Sequence, residues 1–178
     1  MICECFYFWN ELDLLDAKLH EHSGVVDRFV LLEFPTSLRH IPQRLQYEEN
    51  KERFKEFQDK IFHIVGPNDH PELYGLNLLF ARHKNYLTGL ADCAPNDIII
   101  LSSPDVIWKA STLEQLKTID MENSSVQFVA DWYSYYMDFF CTEIKYDFDG
   151  ACLYKHLKYH NSNNRPLIPV GTRITDAG

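Results

Sequence analysis

The sequence predicts an α/β sandwich built on a mostly parallel sheet. The first observation is a run of large apolar residues, Ile98 to Leu101, flanked by polar residues and showing no alternation. Such a run is typical of a strand buried on both faces in the middle of a parallel sheet. The second observation is that strand-like and helix-like segments alternate from the N-terminus to about residue 130. This alternation is the pattern of successive β-α-β units.

The first third of the chain contains three predicted strands and two predicted helices. Strands are predicted over residues 2–8, 26–32 and 61–65, where apolar and aromatic residues are concentrated. Leucines at helical spacing predict a helix to about residue 20, and Asn10 followed by Asp13 resembles a capping box at its start. A polar segment over residues 48–60, with two phenylalanines on one face, predicts a surface helix.

The rest of the chain begins with a predicted helix over residues 76–90 that leads into the central strand. Pro104 cannot donate a ladder hydrogen bond, so this strand should end near Ser102. A short helix over 112–119 and strands over 126–130 and 150–154 are predicted next. The aromatic segment 132–140 suits core packing better than a sugar-stacking platform. No final apolar element is expected.

Composition narrows the class of protein. The 178 residues fit a single domain, 1–178, and the net charge of −9 without a basic stripe argues against nucleic-acid binding. The five cysteines lack Cys-x-x-Cys spacing, and Cys3 and Cys5 fall on one face of the first strand. We therefore expect a reducing, cytoplasmic compartment. No stretch has the pattern of a signal peptide or the length of a membrane span.

Three common active-site motifs are absent from the sequence. There is no Gly-x-Gly-x-x-Gly after the first strand, no Walker-type Gly-Lys-Ser/Thr and no Gly-x-Ser-x-Gly elbow. A bound nucleotide would therefore need its phosphates held without a glycine-rich cradle. A cation held by carboxylates is the usual substitute.

Polar residues cluster where predicted strands end. Asn10 and Glu11 follow the first strand, Glu33 ends the second, Asp105 follows the central one and Asp131 follows the fifth. Carboxyl ends of parallel strands share one edge, where open α/β sheets bind ligands. Each residue also has a structural interpretation: a helix cap for Asn10, a turn cap for Asp105 and a solvated strand end for Glu33.

Arg82 is a further candidate, in the helix that precedes the central strand. Its bidentate guanidinium suits a diphosphate, although an arginine exposed on a helix surface is the commoner case.

Blocks along nearly the whole chain resemble the glycosyltransferase family that contains the bisecting N-acetylglucosaminyltransferase. The most specific is the Asn-Glu-Leu-Asp-Leu-Leu block at residues 10–15, followed by the strand at 26–33. Further matching blocks are residues 49–54, 59–65, 89–90, 96–101, 150–151 and 175–178.

The resemblance implies a GT-A-like fold, a nucleotide-sugar donor, a carbohydrate acceptor and an inverting transfer. It also implies a divalent cation, manganese, held by an Asp-x-Asp motif. The family's central strand runs into Ser-Asp-x-Asp-Glu, whereas this chain has Ser103 at the first acid, Asp105 at the second and Val106 at the glutamate. A weakened cation site is therefore expected. Family members also continue into a C-terminal segment that we expect this chain to lack.

These observations predict a glycosyltransferase, N-acetylglucosaminyltransferase-like, with Asp105 as the metal contact and Asp131 as the acceptor-activating catalytic residue. The predicted nucleotide-sugar contacts are Asn10, Glu11, Glu33, Arg82 and Ser103. The alternative is an inactive carbohydrate- or nucleotide-binding or interaction module, which the replacements at Ser103 and Val106 favour. A phosphatase-like reaction at Asp105 lacks a second nearby acid.

Overall fold

The computed structural model describes residues 1–37, 41–66, 86, 88–134, 139–146, 149–157 and 170–175, with the backbone alone for 131–134 and 139–146. Its strands are β1 Ile2–Phe8, β2 Arg28–Glu33, β3 Ile61–Val65, β4 Ile98–Leu101, β5 Ser125–Ser134, β6 Phe139–Tyr146, β7 Gly150–Leu153 and β8 Val170–Thr175. Its helices are α1 Leu12–His22, α2 Gln46–Asn50, a 3-10 helix Lys51–Phe57, α3 Ala110–Gln115 and α4 Tyr154–Leu157. None of these described helices is both long and apolar enough to cross a membrane.

The strands form one mixed sheet in the order β3-β2-β1-β4-β7-β5-β6, with β8 paired to β5. Strands β1 to β4 are mutually parallel, and β7 runs antiparallel to both β4 and β5. Strand β5 therefore runs in the same direction as β4, with β8 parallel to it and β6 antiparallel. The predicted α/β fold with a mostly parallel sheet is confirmed, and β6 and β7 are its two antiparallel strands.

Two hydrophobic clusters cover the two faces of the sheet, because successive side chains of a strand point to opposite faces. Ile2, Phe6 and Phe8 of β1 belong to the cluster that includes α1, the 3-10 helix and α3. Cys3 and Cys5 are fully buried in the other cluster, beside α4. The prediction that both cysteines lie on one buried face is confirmed.

The start of α1 and the segment after it differ from the predictions. Glu11 occupies the N-cap position without a side-chain cap bond, and α1 continues to His22. The capping box predicted for Asn10 and Asp13 is therefore wrong, because Glu11 turns its carboxylate back toward the backbone before the helix. The predicted helix over 48–60 divides into α2 and the 3-10 helix, with non-helical angles at Phe54.

The second half of the sheet is larger than the sequence predicts. Strand β5 extends to Ser134, so Asp131 lies inside the strand and not after it. Strand β8 was not expected, because its residues are largely exposed and it forms by pairing with β5. Most of the predicted helix over 76–90 lies outside the described residues, although Tyr86 and Leu90 are buried.

Gly150 is required by the close approach of β7 and β5. A Cβ atom at this position would lie 2.6 Å from the carbonyl oxygen of Val126. We expect Gly150→Ala to lower the free energy of unfolding by about 1–3 kcal/mol, as other overpacking changes do. Gly24→Ala is the matched control, since nothing lies within 4 Å of its added Cβ. Urea denaturation of both variants makes the comparison, and equal effects would contradict the prediction.

Candidate functional site

The order of strands reverses between β1 and β4. Strands β2 and β3 lie on one side of β1, and β4 lies on the other. In open α/β sheets, the crevice beyond the carboxyl ends of the strands at such a reversal is the usual ligand site. Leu101, the last residue of β4, pairs with Cys5, whereas β1 continues to Phe8. We call this part of the molecule the β1/β4 edge.

Four of the predicted site residues lie in the segments that leave the carboxyl ends of β1 and β4. Asn10 and Glu11 come shortly after β1, and Ser103 and Asp105 come shortly after β4. Because the two strands are paired in parallel, both segments leave the sheet at the same edge, as the sequence predicts. Glu33 is the last residue of β2 and lies at the same edge of the sheet, that of the carboxyl ends of the strands.

A surface depression of about 480 Å³ lies at the start of α1. It is lined by Asn10, Glu11, Leu12, Asp13, Leu14 and Arg53. Arg53 bonds the Asp13 carboxylate at 2.7 Å. Glu11 accepts hydrogen bonds from the amides of Trp9, at 3.3 Å, and Asn10, at 3.0 Å. The lining therefore carries carboxylates and one amide that suit hydroxyl groups of a ligand.

Glu33 is engaged inside the protein. Its side chain is buried, and one carboxylate oxygen accepts the Tyr47 amide at 2.9 Å. The other oxygen lies 2.9 Å from Nε2 of His63, whose Nδ1 lies 3.5 Å from the Glu48 carboxylate. Glu33 therefore links β2 to β3 and to α2. Its role as a contact for a nucleotide-sugar stays a prediction.

Ser103 lies beside a carboxylate that the sequence reasoning missed. Asp149, which directly precedes β7, accepts the Ser103 amide at 3.0 Å and the Ser103 hydroxyl at 3.3 Å. Asp149 is buried. An aspartate at position 103 would meet this carboxylate at close range, and like charges there repel. A serine at the first Asp-x-Asp position is therefore compatible with the neighbouring Asp149 carboxylate. The only signal for Asp149 in the sequence was the adjacent Gly150.

Asp105 is exposed near the start of the chain segment that joins β4 to α3. Among the described residues, no group of three or more His, Cys, Asp or Glu side chains is arranged to hold a metal ion. These residues therefore do not form a metal site by themselves. A cation at Asp105 would take most of its ligands from a bound phosphate and from water.

A buried polar cluster lies directly beneath the β1/β4 edge; we call it the Glu4 cluster. Its members are Glu4, Lys18, His22 and Ser102, and the first three are fully buried. The Glu4 carboxylate lies 2.7 Å from His22 Nδ1, 3.3 Å from Lys18 Nζ and 2.7 Å from the Ser102 hydroxyl. Burial by itself would raise the pKa of Glu4, but attraction to His22 and Lys18 and the hydrogen bonds lower it well below the usual range. Glu4 is therefore ionised.

The sequence contained a signal for the Glu4 cluster that our reasoning did not use. Glu4 interrupts an apolar strand on the face that carries Phe6. Lys18 and His22 are four residues apart in α1, which puts them on one helix face beside buried Leu19. A charged residue on each of two apposed apolar faces indicates a buried ion pair.

The two remaining predicted residues are less well defined by the structure. Asp131 pairs with Lys145, next to an irregularity in the β5–β6 ladder. Gln127 and Leu101 both pair with Gly150, so β5 continues past the end of β4, and Asp131 lies about 13 Å beyond Gln127 along the strand. Its side chain and the whole of Arg82 lie outside the described residues.

The fold and the polar β1/β4 edge define the chain as an α/β protein that carries polar residues at a reversal of strand order. The family model described as Glycosyltransferase family 17 matches residues 1–165. The chain therefore belongs to glycosyltransferase family 17, and the family resemblance seen in the sequence is confirmed. No curated protein matches the sequence.

A solved structure supports the fold. The crystal structure of a 4-diphosphocytidyl-2C-methyl-D-erythritol synthase is similar, with a TM-score of 0.50 and 10% sequence identity. The match covers 98% of this chain and 87% of the other. At this identity the likeness concerns the fold alone.

Proposed function

We propose that this chain is a glycosyltransferase domain of GT-A type that binds a nucleotide-sugar donor at the β1/β4 edge. The observation that carries the proposal is the position of Asn10 and Glu11 after β1 and of Ser103 and Asp105 after β4, at the reversal of strand order, in a member of glycosyltransferase family 17. The similar solved structure supports the α/β fold on which the proposal depends.

The depression beside α1 suits the hydroxyl-bearing part of the donor. Its volume of about 480 Å³ falls within the range of small-molecule sites. The carboxylates of Glu11 and Asp13 accept hydrogen bonds from ribose or sugar hydroxyls, but they repel a diphosphate. We therefore assign the depression to the nucleoside or the sugar, with Arg53 balancing part of the charge.

The diphosphate is assigned to the side of Ser103 and Asp105. Asp105 supplies an exposed carboxylate there, whereas Asp149 is bonded to Ser103. Hard divalent cations are often held by one or two carboxylates together with substrate phosphates. We therefore propose that manganese binds here weakly and together with the donor.

The transfer itself is proposed by family resemblance. The oxygen of an acceptor hydroxyl bonds to the anomeric carbon, the bond from that carbon to the nucleoside diphosphate breaks, and the configuration inverts. A carboxylate base takes the hydroxyl proton. Asp131 is our candidate for this base, on the part of β5 that extends past β4. N-acetylglucosamine is the proposed sugar, and a glycan is the proposed acceptor.

Calorimetric titration with UDP-N-acetylglucosamine tests the donor site. We expect the protein to bind it in manganese and to bind at least about tenfold more weakly in EDTA, a difference of about 1.4 kcal/mol. Asp105→Ala should abolish the difference between manganese and EDTA. Asp59→Ala is the matched control. Asp59 is also exposed but directly precedes β3, so it lies at the edge formed by the amino ends of the parallel strands. Failure to bind UDP-N-acetylglucosamine and UDP-glucose under both conditions would contradict the proposal.

An inactive relative that retains the fold is the second candidate. It is favoured by Ser103, whose amide and hydroxyl both bond Asp149 where the family has an acidic ligand. Donor binding that is indifferent to manganese, without sugar transfer to any glycan acceptor, would support this candidate over the transferase.

A further inference from the structure

Polar groups of α1 hold the segment that carries Asp105. This segment, the β4–α3 loop, comprises residues 102–109. Near its start, Lys18 Nζ donates to the carbonyl oxygen of Ser103 at 2.7 Å. Near its end, His22 Nε2 lies 2.8 Å from the carbonyl oxygen of Trp108. Since Lys18 and His22 are one helical turn apart, a single face of α1 contacts both ends of the loop.

Beyond the loop, one more contact fixes the start of α3. The amide of Ala110 donates to the carboxylate of Glu21, also in α1, at 2.8 Å. Between these anchor points, Asp105 is exposed. The backbone on both sides of Asp105 is therefore bonded to one rigid helix.

Glu4 contacts both of the α1 residues that bond the loop. It accepts hydrogen bonds from Lys18 and Ser102, and it lies 2.7 Å from His22 Nδ1. The other ring nitrogen of His22 faces the Trp108 carbonyl oxygen, which is also an acceptor. Both ring nitrogens of His22 therefore face hydrogen-bond acceptors, one in Glu4 and one in the loop backbone.

Packing alone does not account for the Glu4 cluster. The desolvation of buried ions opposes folding, and apolar residues of similar size often replace a buried ion pair without loss of stability. Leu15 and Leu19 of α1 already belong to the same hydrophobic cluster as Phe6. Apolar side chains cannot hydrogen-bond the carbonyl oxygens of Ser103 and Trp108. These two bonds are what the charged residues add.

We infer that Glu4, Lys18 and His22, with Ser102, are positioning residues that hold the β4–α3 loop so that Asp105 is presented at the β1/β4 edge. The part that concerns Asp105 rests on the proposed function. The clamping of the loop stands on the contacts alone, so the two are tested separately.

The test uses the double variant Glu4→Gln/Lys18→Met, which removes both charges while keeping the side chains close to their original size. We expect hydrogen exchange of the loop amides, those of residues 103 and 105–108, to speed up at least about tenfold, because a buried charge-assisted bond is lost. Exchange in β1 and β4 should change little. The dissociation constant for UDP-N-acetylglucosamine should rise about tenfold.

Lys60→Met is the matched control. Lys60 Nζ also bonds two backbone carbonyl oxygens, those of Ser23 and Val26, but at the other end of the sheet. It should leave loop exchange and donor affinity unchanged. Ser102→Ala, which removes only one hydroxyl from the Glu4 cluster, serves if the double variant does not fold, and it should loosen the loop to a smaller extent.

The outcomes separate the two ideas. Unchanged loop exchange in a folded variant overturns the inference, and a looser loop with unchanged donor affinity overturns the positioning of Asp105. If the native protein binds no UDP-sugar, the proposed function fails, while a loosened loop in the variant still supports the clamping role.

Discussion

Glu4→Gln is expected to lower the free energy of unfolding by about 3–5 kcal/mol at pH 7, the range found when one partner of a buried ion pair is removed. The change keeps the side-chain volume but leaves Lys18 and His22 without their shared carboxylate in a fully buried site. Urea denaturation, followed by tryptophan fluorescence, gives the free energies of both proteins.

The difference between wild type and Glu4→Gln should depend on pH in a defined direction. The pKa of Glu4 in the folded protein lies below its ordinary value of 4.5. The ionised carboxylate therefore stabilises the fold fully above about pH 4.5, and this contribution is lost as the pH falls toward the folded-state pKa. We expect the difference between the two stabilities to be constant from pH 7 to about pH 4.5 and to become smaller between pH 4.5 and pH 3, when the unfolding experiment is repeated over this range.

Two further variants control the Glu4 experiment. Glu52→Gln changes an exposed glutamate of the 3-10 helix and should shift stability by less than about 0.5 kcal/mol at every pH. Glu4→Gln/Lys18→Met should lose less stability than Glu4→Gln, because no ammonium is then left unpaired. A loss below about 0.5 kcal/mol in Glu4→Gln itself would contradict the buried ion pair.

Trp108→Ala is expected to lower the free energy of unfolding by about 3–5 kcal/mol, as other large-to-small changes of buried aromatic residues do. Trp108 is fully buried at the end of the β4–α3 loop, and its ring centroid lies 4.8 Å from that of Phe128 in β5. The His22 contact involves the Trp108 backbone and survives the change. The loss therefore measures packing between the loop and the sheet.

Trp9→Ala is the matched control for Trp108→Ala. Trp9 is only partly buried and meets the Tyr7 ring edge-on at 6.3 Å. Its removal should lower stability by about 1 kcal/mol. If urea denaturation gives the two variants equal losses in the free energy of unfolding, the prediction that Trp108 contributes more to packing than Trp9 is wrong. Trp108→Phe, which keeps a ring at the site, should recover part of the loss.

The sequence by itself was sufficient for the parallel half of the sheet and for the edge at which the candidate site residues lie. The apolar run at Ile98–Leu101 predicts a doubly buried strand, and β4 lies between β1 and β7 in the sheet. Parallel strands end at one edge, so the position of Asn10 and Asp105 at the same edge of the sheet followed from strand direction without knowledge of any contact. The family was also recognisable, because its motifs are local blocks of residues.

Only the tertiary structure decided what surrounds these residues. Ser102 bonds Glu4 across 98 positions of sequence, and Ser103 bonds Asp149 across 46. Strand β8 exists through its pairing with β5 and not through an apolar pattern of its own. A hydrogen bond depends on where two side chains meet, and periodicity in one segment carries no information about a partner so far along the chain. The bond between Ser102 and Glu4 and the carboxylate beside Ser103 therefore became visible only once the strands were placed side by side.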